Sequence, residues 1–163
     1  MKVIHRDIKP SNLLINSQGQ VKIADFGVSG KIENTLSYRE TWVGTVTYMS
    51  PERCKGEKYN YDTDIWSLGL TILECALGRY PYFEPGRDYK NIQYFDLLEM
   101  ISKSPVPDLP KDKFSDNIRD FVAICLRKEV GTRSSAAELL RHPFVKKYAA
   151  ISRSSFIKWL ETV

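Results

Sequence analysis

His5-Arg6-Asp7-Ile8-Lys9-Pro10-Ser11-Asn12, followed by Asp25-Phe26-Gly27, is the part of the chain on which the reading of the fold turns. Between the two lie Leu13-Leu14-Ile15 and Val21-Lys22-Ile23, short apolar runs that predict two strands. Asn16-Ser17-Gln18-Gly19-Gln20 joins them as a hairpin turn, with Gly19 supplying a positive φ. Asp7, Lys9 and Asn12 therefore fall on one loop ahead of the hairpin, and Asp25 follows it directly. Their side chains are expected to meet at one point.

The chemistry of those side chains is specific in combination. Phosphoryl transfer needs a carboxylate to orient the attacking hydroxyl and accept its proton, a cation for the transferring phosphate, and oxygen ligands for Mg²⁺. Asp7 suits the first role and Lys9 the second. Asn12 and Asp25 are hard oxygen donors suited to the third. Singly, each has an ordinary reading, since an Asp before a strand is usually a turn residue and a Lys is usually solvated. The joint pattern H-R-D-x-K-P-x-N, then D-F-G, is far more restrictive.

Downstream, residues 31–45 are polar and rich in hydroxyls without a period, a long loop of the kind that more often carries function than inert connection. Ser50-Pro51-Glu52 predicts a short helix with proline at its first position. Asp62-Thr63-Asp64 is expected to cap a helix over Ile65–Leu77, stopped by Gly78. Its apolar residues point in nearly every direction, which predicts a buried central helix. Tyr80 to Gln93 reads as a surface loop. Helical spacing returns through Phe95, Leu98 and Ile101, then after a capping Ser115, then after Ser134 or Ser135, and last from about Ser154 to Leu160.

Composition bounds the alternatives. The 163 residues, 42% hydrophobic and 27% charged, suit one soluble domain with a buried core. The net charge of +4 is mild, with acidic and basic residues interleaved, which argues against a nucleic-acid partner. No apolar run is long enough to span a bilayer, and charges interrupt the N-terminus at once, so neither a membrane span nor a signal peptide is expected. Cys54, Cys75 and Cys125 form no CxxC pair, which leaves neither a zinc site nor a disulfide framework and suits a reducing compartment. Cys75 and Cys125, inside apolar helical runs, are expected to act as small hydrophobes.

These motifs make the chain resemble the C-terminal lobe of a eukaryotic protein kinase. Ser50-Pro51-Glu52 stands where that family has Ala-Pro-Glu, and Asp64-Ile65-Trp66-Ser67-Leu68-Gly69 matches the start of its central helix. The resemblance implies a mainly α fold with a short β-hairpin. It implies a partial kinase domain over residues 1–144 and a C-terminal extension over 145–163. It makes Asp7 the base, has Lys9 contact the γ-phosphate of ATP, gives Asn12 and Asp25 to Mg²⁺, and places Leu14 under the adenine. His5, Arg6, Phe26 and Gly27 become structural, Asp64 braces the loop backbone, and Arg133 pairs with Glu52.

Lys9-Pro10 is similar to the serine/threonine type. Asp25-Phe26-Gly27-Val28-Ser29-Gly30 and Tyr48-Met49-Ser50-Pro51-Glu52-Arg53 look like a MAP kinase kinase. The resemblance then implies dual specificity, a MAP kinase substrate, an upstream MAP kinase kinase kinase, and a cytoplasmic or also nuclear location. Thr35 and Thr41, with five residues between them, have the activation spacing of plant-type members, while Ser37 and Thr41, with three between, offer that of animal ones. Phosphate there is expected to pair with Arg6. Phe156, Trp159 and Leu160 form a stripe that either docks the kinase above or packs on its own domain. The family's glycine-rich loop, strand lysine and hinge have no counterpart in these residues. The chain alone is therefore expected to be inactive, and a non-catalytic binding or decoy module is the alternative.

Overall fold

The computed structural model describes residues 3–26, 46–86, 92–149 and 153–162. A single 3-10 turn over Pro10–Asn12 leads into β1, Leu13–Ile15, which pairs antiparallel with β2, Val21–Ile23. The register sets Leu13 opposite Ile23 and Ile15 opposite Val21. Asn16 organises the turn: its Oδ1 accepts from the Gln18 and Gln20 amides, and its backbone N–H donates to the Gln20 carbonyl. Such side-chain mimicry of a turn is a usual reason for asparagine there. Among the described residues, the regular elements that follow are helical: α1, Pro51–Cys54; α2, Asp62–Leu77; α3, Tyr94–Lys103; α4, Asp116–Cys125; α5, Ala136–Leu139; α6, Pro143–Ala149; and α7, Arg153–Leu160. The fold is mainly α with one short hairpin, as the sequence implies.

Helix α2 is the axis. Ile65, Trp66, Leu70 and Leu73 on it are buried, and Phe121, Val122, Cys125 and Leu126 pack against them from α4 and its end. Gly69 permits that approach, because a methyl group there would lie 2.8 Å from Cys125 Cβ and from Leu126 Cδ2. Helix α3 packs on α1, and α6 on α4. The segment before α1 is stitched to α2 by polar contacts. Ser67 Oγ donates to the Tyr48 carbonyl at 2.8 Å, Ser50 Oγ and Thr63 Oγ1 share a bond of 2.6 Å, and the Tyr48 hydroxyl donates to Glu74.

The structure corrects several expectations in detail. Helix α2 begins at Asp62, and no side-chain cap is made at its start; the Asp64 carboxylate is committed to the loop of residues 5–6 instead. Ser115 precedes α4 without a side-chain cap, whereas Ser135 and Glu138 form a reciprocal capping box on α5. On α3 the buried pair is Leu97 and Ile101, and Phe95 is 77% exposed. Tyr80 and Tyr82, expected on a surface loop, are buried, with the Tyr80 hydroxyl donating to the Thr47 carbonyl. Cys75 is exposed, and Leu68, Ile72 and Ala76 beside it are half-buried. Apolar residue types all round a helix state where cover is tolerated, not where the neighbouring helices lie. Helix α6 has no counterpart among the sequence expectations, although Pro143 at its first position is a start signal.

Candidate active site

Asp64 holds the loop by its backbone. Its Oδ2 accepts from the His5 N–H and its Oδ1 from the Arg6 N–H, both at 2.8 Å. Aiming two successive amides at one carboxylate requires an unusual turn, and Arg6 accordingly has φ of 72°. A non-glycine residue in that region is held there by its surroundings and marks a functional constraint. His5 is buried, and its Nε2–H donates to the Ala24 carbonyl at 2.8 Å while Nδ1 accepts from the Asp7 N–H at 3.3 Å. The carbonyl can only accept, so the tautomer is fixed by its partners. Phe26 meets the His5 ring edge-on at 4.6 Å, and Ala24 N–H closes the hairpin base on the Asn12 carbonyl at 2.8 Å. The imidazole thus ties the loop to the residues just before Asp25.

Asp7, Lys9 and Asn12 meet at one oxygen. Asp7 Oδ2 lies 2.9 Å from Lys9 Nζ and accepts from Asn12 Nδ2 at 2.9 Å, and the same Asn12 nitrogen donates to the Asp7 carbonyl at 2.8 Å. Asn12 is buried, and with its nitrogen turned to Asp7 its Oδ1 is the atom left for a ligand. Asp7 Oδ1 remains, likewise, for a substrate hydroxyl. Asp25 is exposed and has φ of 61°, the second non-glycine residue with positive φ. Leu14 is 57% exposed on β1. Gly27, Thr35, Ser37 and Thr41 lie outside the described residues.

The donor set fits a hard cation. Asn12 Oδ1 and the Asp25 carboxylate are oxygen ligands, and both His5 ring nitrogens are already engaged. Among the described residues no group of three or more His, Cys, Asp or Glu could hold a metal by itself. Two protein oxygens completed by nucleotide phosphates are the usual mode for Mg²⁺.

On the other side of the loop two guanidinium groups share one aromatic ring. Arg6 Cζ is 5.6 Å and Arg53 Cζ 5.4 Å from the Tyr59 ring centroid, and Arg53 Nη1 donates to the Arg6 carbonyl at 2.8 Å. Arg6 Nε is buried and has no hydrogen-bond partner among the described residues. Arg53 and Tyr59 were not legible as members of the site; only the position of Arg53 next to Pro51-Glu52 offered a signal.

Glu52 and Arg133 form a buried two-pronged pair, with Nη1–Oε1 of 2.9 Å and Nη2–Oε2 of 3.1 Å. Arg133 also donates to the Asp62 and Arg127 carbonyls and lies over the Trp66 ring. Burial pushes the Glu52 carboxyl up, but hydrogen bonds from Arg133 and Ser50 outweigh it and hold the group below the usual range. Near the C-terminus, Phe156 and Leu160 are half-buried, and Trp159 stacks on Phe156 at 5.7 Å while 56% exposed.

The protein kinase domain matches residues 1–145, and the chain belongs to the protein kinase family. Within it, the sequence is 52% identical over 146 residues to mitogen-activated protein kinase kinase 2 of Arabidopsis thaliana, covering 90% of this chain and 40% of that protein. It is 53% identical over 146 residues to mitogen-activated protein kinase kinase 1c of Physcomitrium patens, covering 90% of this chain and 42% of that one. Against the dual specificity mitogen-activated protein kinase kinase dSOR1 of Drosophila melanogaster, identity is 40% over 164 residues, covering 89% and 41%. The chain thus spans about two fifths of the length of these curated relatives.

Proposed function

We propose that this chain carries the catalytic half of a MAP kinase kinase, a dual-specificity enzyme transferring the γ-phosphate of ATP to the activation loop of a MAP kinase. The observation that carries the reading is the convergence of Lys9 and Asn12 on Asp7 Oδ2, which engages one carboxylate oxygen and leaves Oδ1 for the attacking hydroxyl. In that mechanism Asp7 Oδ1 accepts the hydrogen bond, and then the proton, of the attacking hydroxyl. Lys9 moves from Asp7 to the transferring phosphoryl group as charge builds there. Asn12 and Asp25 hold Mg²⁺, which supplies neutralisation of phosphate charge when ATP is bound. Leu14 offers the adenine an apolar floor.

Thr35, Ser37 and Thr41 are the proposed activation sites, used by an upstream MAP kinase kinase kinase that docks on the stripe of Phe156, Trp159 and Leu160. Each phosphate adds about −1.5 to −2 charge, and the Arg6 and Arg53 guanidinium groups gathered on the Tyr59 ring are a cationic site of the right chemistry to receive it. A cytoplasmic location, extending to the nucleus, goes with this role.

The test joins this chain to the upper half of the Arabidopsis relative and measures ATP-dependent phosphorylation of a catalytically inactive MAP kinase. Transfer that disappears in the Asp7→Ala variant is the expected result. A well-folded chimera that binds the MAP kinase but transfers nothing at any enzyme concentration supports the second reading, a non-catalytic binding module. That reading is favoured by two aromatic side chains standing out on separate helices, Phe95 at 77% and Trp159 at 56% exposed.

A further inference from the structure

The hairpin is a weak element by itself. Its strands have three residues each, and Leu14, Ile15, Val21 and Ile23 are all exposed by 43% or more. An isolated two-stranded hairpin of that size is marginal in water. Yet Asn12 stands immediately before β1 and Asp25 two residues after β2, so their separation depends on the hairpin keeping its shape. Something has to steady it.

The tip of the hairpin rests on helix α7. Gly19 has φ of 66°, and a methyl group placed on it would lie 3.0 Å from Phe156 Cδ1 and 3.4 Å from both Arg153 Cγ and Ile157 Cγ1. Positions 153, 156 and 157 are spaced by three and four, hence form one face of the helix. Trp159 is not among the three nearest contacts of that methyl group and stacks on Phe156, which is. Gly19 and Arg153 stand far apart along the chain; in space they adjoin.

We propose that α7 is a brace for the catalytic hairpin, with Phe156 as the positioning residue that fixes the turn at Gly19 and through it the pair Asn12 and Asp25. The proposal rests on the kinase reading for the importance of that pair, but the contact itself is independent of activity. It also gives Phe156 two claims upon it. A partner that pulls Phe156 away together with Trp159 releases the turn, so docking at α7 is coupled to the order of the site.

Residue-resolved amide hydrogen exchange on the full chain tests this. Three hairpin amides report: Asn16, bonded to the Gln20 carbonyl; Gly19, bonded to the Asn16 carbonyl; and Ala24, bonded to the Asn12 carbonyl. In Phe156→Ala their exchange is expected to speed up by about tenfold or more, with α2 amides unchanged. Phe156→Leu is expected to restore most of the protection, and Lys158→Ala, on an exposed position, to leave it untouched. Arg153→Ala removes a neighbouring contact with the turn from an exposed position of α7, so it serves if Phe156→Ala also loosens α2. Unchanged exchange in both variants overturns the brace. Faster exchange at Gly19 with Ala24 unchanged overturns the positioning role, because the site end of the hairpin is then independent of its tip. Loss of phosphate transfer in the chimera with normal exchange counts against the kinase reading alone.

Discussion

Asp64 and Glu52 show how single carboxylates organise this chain, and each supports a prediction. Asp64 spends both oxygens on consecutive amides of a backbone turn that Arg6 would not otherwise adopt. Asp64→Asn keeps the size but offers one acceptor and sets an N–H₂ against an amide donor. About 1–3 kcal/mol of stability should be lost, the cost of an unsatisfied buried donor, and chemical denaturation measures it. Amide signals of His5 and Arg6 should shift more than those of any α4 residue; an unaltered loop in the variant would refute the bracing role. Glu52 is paired and buried, so Glu52→Gln strands the Arg133 charge at a cost of about 3–5 kcal/mol. The pH dependence has a definite sign. A carboxyl whose folded pKa lies below its unfolded one stabilises the fold above the unfolded value, and that contribution fades as pH falls through the folded one. The wild-type chain should therefore lose stability below about pH 4.3, and Glu52→Gln should show a flatter acid limb in melting temperature against pH. A parallel pair of curves would mean that Glu52 is not ionised in the fold.

Among the elements, the contact of α2 with α4 is the tightest and the least tolerant. A Cβ on Gly69 would stand 2.8 Å from Cys125 Cβ, which moves only with its backbone, and equally close to Cγ and Cδ2 of the fully buried Leu126. Gly69→Ala should cost about 1–3 kcal/mol through overpacking, despite the gain in helix propensity that alanine normally brings. Thermal melts of the two proteins decide it, and a stabilised variant would mean that the two helices can slide apart freely. This element also marks the limit of sequence reading. The central helix, its stop at Gly78 and the hairpin were legible because periodicity and turn residues are local. Helical spacing through Phe95, Leu98 and Ile101 finds the helix but not its buried face, and α3 turns Leu97 and Ile101 inward. Two apolar stripes a few tens of degrees apart cannot be ranked without knowing the partner. The roles expected of Asp7, Lys9 and Asn12 came with the family resemblance that their motif carries, while their meeting at one oxygen agrees with their place on one short loop. Tyr59 was not legible, since its ring matters only where Arg6 and Arg53 arrive from residues distant in sequence.

For the molecule as a whole, the three thiols report which faces are covered. Burial pushes Cys125 up to about 12 against the lowering pull of Arg133, and Cys54 up to about 11 against that of Arg53. Burial and then Glu74 raise Cys75 as well, although it is exposed on α2. None is a thiolate at neutral pH, so reactivity follows access rather than activation. Alkylation mapped by mass spectrometry at pH 7.5 should label Cys75 first, Cys54 more slowly, and Cys125 only in denaturant. Raising the pH should speed Cys75 most, because it is the exposed thiol of the three. Cys75 sits in a row with the half-buried Leu68, Ile72 and Ala76, and its labelling rate therefore measures whether that apolar stripe meets water. Fast labelling independent of protein concentration means an open stripe on a monomer. Labelling that slows as the chain is concentrated means that a second copy covers it, and Cys75→Ser should leave that self-association in place while Ile72→Asp should abolish it.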